Sequence, residues 1–236
     1  MEYTKRYEIR RFRQGYGLEK AQDDVIHEQA LELRLNGQLY TRVTCVPDAI
    51  AEMTAGRLLC DGVISANADI RSLCIQGNVV DVQTTKDAAE PLKTPVPEGA
   101  ALTCADIVRA VQSFLKESPL YQATGAVHSC AMWEGRGMQR LFHYDDIGRK
   151  NAMDKAIGAA VRKEINRKDV FLLTSGRVLS DMVEKVLHAR IGALVSRSAP
   201  TNAAVELARE KNILLCGFAR GTRLNVYAGF DRIKDE

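Results

Sequence analysis

The chain has no closely spaced cysteine pair. Its six cysteines stand at positions 45, 60, 74, 104, 130 and 216 of 236 residues, and no two are closer than 14 positions. A CxxC motif for zinc or for dithiol redox chemistry is therefore absent. Net charge is scarce as well. The 33 Lys and Arg against 30 Asp and Glu leave +3, too little to argue for a nucleic-acid partner unless the basic residues cluster locally. No segment reaches the roughly 18 apolar residues of a membrane helix, and the opening MEYTKRYEIRRFRQ has no apolar core of signal-peptide length. The expectation is a cytoplasmic protein with reduced thiols and neither a membrane nor a nucleic-acid partner. Repeats and low-complexity tracts are missing too. What is there is ordinary globular composition, 46% hydrophobic and 27% charged, with room for one large domain or two modest ones.

Residues 29–44 predict a hairpin. Leu31, Leu33 and Leu35 alternate with Glu32 and Arg34, Asn36-Gly37 tolerates positive φ, and a two-residue loop places Tyr40 opposite Leu33. Pro47 and Asp48 start a helix that Gly62 ends, and residues 70–83 form a strand pair around Gln76-Gly77-Asn78. Pro91, Pro95 and Pro97 fall within TTKDAAEPLKTPVPEG (84–99), which suits neither helix nor central strand. The domain boundary is placed there, giving a small α+β unit over 1–98 and an α/β unit over 99–236; the alternative is a long surface loop within one domain. The second unit reads as a helix over 104–116, strands at 128–133 and 138–144, and a helix over about 150–165. Strands at 170–173, 193–195 and 213–215 then alternate with helices at 178–190 and 202–211, the pattern of a mostly parallel sheet.

Parallel strands joined by right-handed crossovers put their carboxyl ends on one edge, where such folds bind ligands. The segments expected at that edge are Thr174-Ser175-Gly176-Arg177 and Ser196-Arg197-Ser198-Ala199-Pro200-Thr201, each opening into a helix, and Gly217-Phe218-Ala219-Arg220-Gly221-Thr222-Arg223. Helix amino termini, the hydroxyls of Ser175, Ser198 and Thr201, and the guanidiniums of Arg177, Arg197, Arg220 and Arg223 together suit phosphate or pyrophosphate. Ordinary capping by Ser and Thr is the competing account of each segment alone. In His143–Asn151, Asp146 is a candidate helix cap, and Asn151 and Lys155 share a helix face. A zinc deaminase needs H-x-E and P-C-x-x-C, and a serine hydrolase needs G-x-S-x-G; His128-Ser129-Cys130 and Ser175 match neither. His128 and Cys130 share a strand face, which admits a thiolate–imidazole pair, although buried inert cysteine is the preferred account of most of the six thiols.

Several segments resemble signatures of the FdhD/NarQ formate dehydrogenase accessory proteins. They are Thr124-Gly125-Ala126-Val127-His128-Ser129, the run Asp145 to Lys155, Thr174 to Arg177, Ser198-Ala199-Pro200-Thr201, and Gly217-Phe218 with Asn225-Val226-Tyr227. LELRLNG and CVPDAIAEMTAGRLLCDGVI resemble the early block of the same family, so the likeness covers nearly the whole chain. The resemblance implies a cytidine-deaminase-like C-terminal domain without the deaminase zinc site, preceded by a small α+β domain, in a homodimer. It implies a sulfurtransferase-type sulfur carrier that receives a persulfide from a cysteine desulfurase. The sulfur passes to the molybdenum bis-molybdopterin guanine dinucleotide cofactor before insertion into formate dehydrogenase. The segment matching the family's cofactor-binding loop is Phe218, Ala219, Arg220, Gly221, Thr222 and Arg223, and Ser175, Gly176, Arg177, Ser198 and Thr201 join it in the expected cofactor site, where GDP or GMP would mimic the cargo.

Two departures stand out. Lys150 replaces the His of the family's IGRHN segment, and no cysteine occupies 82–99, where many members carry CxxC. The thiols left as carriers are Cys104, Cys74 and Cys130. Cys104 heads the choice because the start of a helix favours the thiolate. The alternative function is a maturation chaperone that binds the cofactor without transferring sulfur; a zinc deaminase is the remote third.

Overall fold

A ribbon that the hydrophobic pattern does not announce begins the chain. The computed structural model describes residues 2–85, 102–114, 116–135 and 137–235, and most of the Pro-rich stretch at the expected domain boundary lies outside these. β1 (Thr4–Arg13) pairs antiparallel with β2 (Gly17–Ile26) in a two-stranded sheet of their own. Charges fall on both faces of TKRYEIRRFR, so the alternation that marks a half-buried strand is missing.

β3 (Gln29–Leu35) and β4 (Gln38–Cys45) form the expected hairpin, with Asn36 and Gly37 at φ 50° and 83°. The register differs from expectation by one residue. Leu33 faces Thr41 and Arg34 faces Leu39, so Tyr40 is the extra residue of a bulge, and its hydroxyl donates to Asp61 at 2.8 Å. After α1 (Ile50–Cys60), β5 (Ile70–Gln76) and β6 (Val79–Thr84) complete a sheet of order β4-β3-β6-β5, with β3 and β6 parallel.

β7 (Leu102–Thr103), α2 (Cys104–Phe114) and α3 (Pro119–Thr124) precede β8 (His128–Glu134), β9 (Arg140–Asp146) and α4 (Arg149–Arg162). The alternating part follows: β10 (Val170–Thr174), α5 (Ser180–His188), β11 (Ala193–Ser196), α6 (Asn202–Glu210), β12 (Leu214–Arg220) and β13 (Arg223–Ala228), with β14 (Ile233–Lys234) returning beside β7. The six-stranded sheet has the order β13-β12-β11-β10-β8-β9. β10, β11 and β12 are mutually parallel. β8 and β13 oppose them, and β9 opposes β8, so four of the six strands share one direction. This is the expected α/β sheet with its parallel run β10-β11-β12, but the three pairings that flank the run are antiparallel, so the sheet is mixed.

The sheet is covered on both faces. Ile107, Ala110, Val111 and Phe114 give α2 an apolar stripe packed on Ala131, Phe171, Val195 and Cys216. Burial of Phe114 alone contributes roughly 1.5–3 kcal/mol. On the other face Met153, Ile157, Met182, Val183 and Ala204 from α4, α5 and α6 meet Cys130, Met132, Leu172 and Leu194. That cluster continues through Met53, Leu58 and Leu59 of α1 to Leu31, Leu33, Val80 and Val82. One core thus runs from the four-stranded sheet to the six-stranded one. The backbones of α1 and α4 touch: a Cβ on Gly56 would lie 1.9 Å from the Asp154 carbonyl oxygen, and one on Gly158 1.7 Å from that of Glu52. No helix among the described residues is long and apolar enough to cross a membrane.

Candidate functional site

The strand directions bring the ends of β9, β10, β11 and β12 and the starts of β8 and β13 to one edge. Asp145, Asp146, His128, Ser175, Arg177, Arg197, Ser198, Arg220 and Arg223 therefore share it, joined by Arg149 at the start of α4.

Two of the edge segments lock together. Val178 bridges to Pro200, Val178 N–H donates to the Ala199 carbonyl at 3.0 Å, and Thr201 N–H donates to the Val178 carbonyl at 2.9 Å. Val178 is consequently fully buried and extended, and α5 starts at Ser180 rather than directly after Arg177. The expected helix end beside Ser175 is thus displaced. Thr201 caps α6 by accepting from Ala204 N–H at 3.3 Å, which leaves its hydroxyl hydrogen for a further acceptor. The third expected loop is mostly strand. Phe218, Ala219 and Arg220 extend β12 through a bulge with Phe218 at φ 50°, and only Gly221 and Thr222 turn before Arg223 opens β13. Alternation there is broken by the bulge, which is why the pattern reads as loop. Gly217 admits this path: a Cβ would lie 2.9 Å from Pro200 Cδ and 3.0 Å from Tyr227 Cε2.

The cations at the edge differ in availability. Arg220 donates from Nε to the Arg197 carbonyl at 2.6 Å. Arg149 lies along Gly176, where an added Cβ would come 2.8 Å from its Cβ and 2.9 Å from its Cδ. The Nε atoms of Arg149 and Arg197 are buried without a hydrogen-bond partner among the described residues. A buried guanidinium N–H left unpaired costs free energy that an anion would recover. Arg177 and Arg223 are exposed. Arg149 escapes a reading that follows only the loops of the alternating strands, because it enters from the helix after β9.

The densest polar segment serves the interior. Lys155 Nζ lies 2.7 Å from Asp146 Oδ2 with both side chains fully buried, and it also donates to the carbonyls of Asp145 (3.1 Å) and Val46 (3.2 Å). Asp146 further accepts from Val46 N–H at 3.1 Å, Gly148 N–H at 2.9 Å and Asn151 Nδ2 at 2.9 Å. Gly148, not Asp146, is the cap of α4. Asn151 and Lys155 do share a face, and they use it to tie the end of β4 to β9. Asp154, also fully buried, pairs with Arg57 of α1 at 2.8 Å and Lys185 of α5 at 2.7 Å. Lys150 pairs with Asp181 of α5. Asp145 accepts from Ser118 and Ser129 hydroxyls, each at 2.6 Å. Burial works against its charge, but the bonds from His143, Ser118 and Ser129 prevail and hold the carboxyl below its usual range.

Cys45, Cys60, Cys130 and Cys216 are buried, Cys74 is exposed on β5, and Cys104 is half-buried at the start of α2. Burial pushes the Cys130 thiol far up, and His128 on the same strand bonds Ser175 instead, so the thiolate–imidazole pair does not form. Cys104 is not acidified: burial and then Asp235 push its pKa up, against the expected effect of the helix start. Burial and the nearby Cys104 push Cys216 up to about 12. No group of three or more His, Cys, Asp or Glu among the described residues is placed to hold a metal ion.

Comparison with known proteins gives concordant matches. The model of the FdhD/NarQ family matches residues 26–94 and 74–234. A Listeria innocua protein named sulfur carrier protein FdhD is 29% identical over 263 residues, spanning 99% of this chain and 100% of its own. One of the same name from Bacillus pumilus is 30% identical over 264 residues, 96% of each. The crystal structure of a protein described as a formate dehydrogenase accessory protein, from Desulfotalea psychrophila, superposes with a TM-score of 0.86 at 25% identity, covering 98% of this chain and 100% of that one.

Proposed function

Since the chain belongs to the FdhD/NarQ family, we propose that it is an accessory protein of formate dehydrogenase that holds an anionic nucleotide cargo along the arginine-lined sheet edge. The cargo is the guanine-dinucleotide portion of the molybdenum bis-molybdopterin guanine dinucleotide cofactor. The observation that carries this reading is the pair of buried guanidinium Nε atoms without a hydrogen-bond partner among the described residues, on Arg149 and Arg197, at an edge already rich in Arg. Phosphate oxygens accept from such forks in two-pronged fashion. The residues assigned to it are Arg149, Ser175, Arg177, Arg197, Ser198, Arg220 and Arg223; Gly176 and Gly217 keep the backbone open for them.

GDP is the probe. At a hundredfold excess over its dissociation constant it stabilises the folded chain by about 2.7 kcal/mol, a rise of roughly 5–11 °C in melting temperature. Arg177→Ala and Arg149→Ala are each expected to cut that rise by more than half. A melting temperature that GDP leaves unchanged in the intact protein would remove the anion-edge reading.

The relatives are named sulfur carriers, so the finer proposal is that this chain accepts sulfur from a cysteine desulfurase as a persulfide and passes it to the cargo, acting in the cytoplasm as a homodimer. A carrier thiol must be reachable, which directs the proposal to Cys74 and Cys104. Incubation with a cysteine desulfurase and cysteine is expected to add about 32 mass units, one sulfur atom, to one of their peptides. Absence of that adduct supports the second reading, a chaperone that binds and delivers the cofactor without sulfur chemistry. The burial of four of the six thiols favours that second reading.

A further inference from the structure

His128 opens β8 at the anion edge, and the cargo reading so far gives it no part. Its Nδ1 lies 3.3 Å from Ser175 Oγ. That oxygen already accepts the Ser129 amide hydrogen at 2.9 Å, and the Ser175 amide donates back to the Ser129 carbonyl at 3.0 Å. Ser175 is therefore clamped to β8, with one lone pair and its hydroxyl hydrogen left for the imidazole. The ring can bond it in either direction. A bare Nδ1 accepts the Ser175 hydroxyl, and a protonated Nδ1 donates to the remaining lone pair. Both protonation states of His128 thus keep the same hydrogen-bond partner in the same place.

The charged groups facing the ring are Arg149 from α4 and Arg177 from the segment after β10. Its partner in the β9 register, Asp146, has its carboxylate turned into the Lys155 ion pair. Two cations therefore act on the ring, one of them with a buried Nε that lacks a partner among the described residues.

We propose that His128 belongs to the anion-binding set and takes up a proton from solvent when anionic cargo occupies the space beside Arg149 and Arg177, with Ser175 as its positioning residue. This rests on the anion-edge reading above. In the free protein burial first, then Arg149 and Arg177, disfavour the imidazolium and lower the ring's pKa. An anion beside the two guanidiniums offsets their repulsion and offers an acceptor to the imidazolium. The ring's pKa is then higher in the bound state than in the free one. The gain in affinity is full below the free-state pKa and is lost as pH rises through the bound-state value. Each unit of difference makes binding about tenfold tighter at the acidic end.

Titration calorimetry with GDP between about pH 5.5 and 8, in two buffers of different ionisation enthalpy, tests this on the intact chain and on His128→Asn. The GDP terminal phosphate itself titrates near pH 6, so the quantity read is the difference between the two proteins. The intact chain is expected to take up more protons than His128→Asn, and the affinity ratio between them should grow about tenfold toward acid. Ser175→Ala should bind GDP with a displaced pH profile. Equal proton uptake and parallel pH profiles would overturn the proposal while leaving GDP binding, and the anion edge, intact. No GDP binding by the intact chain would instead remove the anion edge itself. Should His128→Asn fail to fold, proton NMR of the His128 ring in the intact protein reads its pKa directly. It should rise on adding GDP, and an unchanged value would refute the proposal.

Discussion

Gly158→Ala is expected to destabilise this protein by more than about 3 kcal/mol, beyond the usual upper range for overpacking substitutions. Intrinsic propensity argues the other way, since alanine in a helix interior is favoured over glycine by roughly 1 kcal/mol. The sign is decided by packing. The new Cβ would lie 1.7 Å from the Glu52 carbonyl oxygen and 2.6 Å from the Gly56 amide nitrogen, and both are backbone atoms that no rotamer change can move aside. α1 and α4 would have to separate, opening the core cluster that joins the four-stranded sheet to the six-stranded one. Gly56→Ala breaks the same contact from the other side, so the double substitution should cost much less than the two single costs added together. Thermal or urea denaturation checks this; an unchanged or raised melting temperature in Gly158→Ala would contradict the close crossing.

Lys155→Met should cost about 3–5 kcal/mol, the penalty of leaving a buried carboxylate without its counter-charge. In a chain of this size that lowers the melting temperature by roughly 6–20 °C. Asp146 and Lys155 are both completely buried, and the ammonium also satisfies the Val46 and Asp145 carbonyls. Asp146→Asn in the Lys155→Met background removes the stranded charge and is expected to recover a substantial part of the loss. The double-mutant cycle reports that coupling. If Lys155→Met melts with the intact protein, the pair is not a structural tie. Because Asp146 also holds Val46 N–H, the same variant should loosen the end of β4 against α4, which hydrogen exchange at Val46 would register.

The segment from Asp145 to Lys155 shows how a motif can mislead. Its density of polar groups at a strand-to-helix junction reads as chemistry or as capping, yet most of it points inward. Asp146, Asn151, Asp154 and Lys155 pin β4, α1, α4 and α5 to one another. Sequence spacing reveals that Asn151 and Lys155 share a face. It does not reveal what that face meets, because Val46 and Thr44 are about a hundred residues away. The Lys150 substitution is similar: its charge remains, but it is spent on Asp181.

Local patterns were legible wherever one face is apolar and the other polar. Leu31, Leu33 and Leu35 announced β3, Asn36-Gly37 announced its turn, and the apolar runs at 170–173 and 193–195 announced two of the parallel strands. β1 and β2 escaped because neither face is buried enough to impose alternation, and the end of β12 escaped because a bulge breaks it.

By itself the sequence determined the family, the alternating α/β order and the set of arginines destined for one sheet edge, since these depend on residue type and near-neighbour spacing. Tertiary structure alone decided which of those groups are free to act. Arg220 gives its Nε to the Arg197 carbonyl and Thr201 accepts the α6 cap bond, while Arg149 and Arg197 keep buried Nε atoms without a partner among the described residues, His128 is set on Ser175, and four thiols are buried. Availability depends on burial and on partners far along the chain, and no local pattern of residues encodes either.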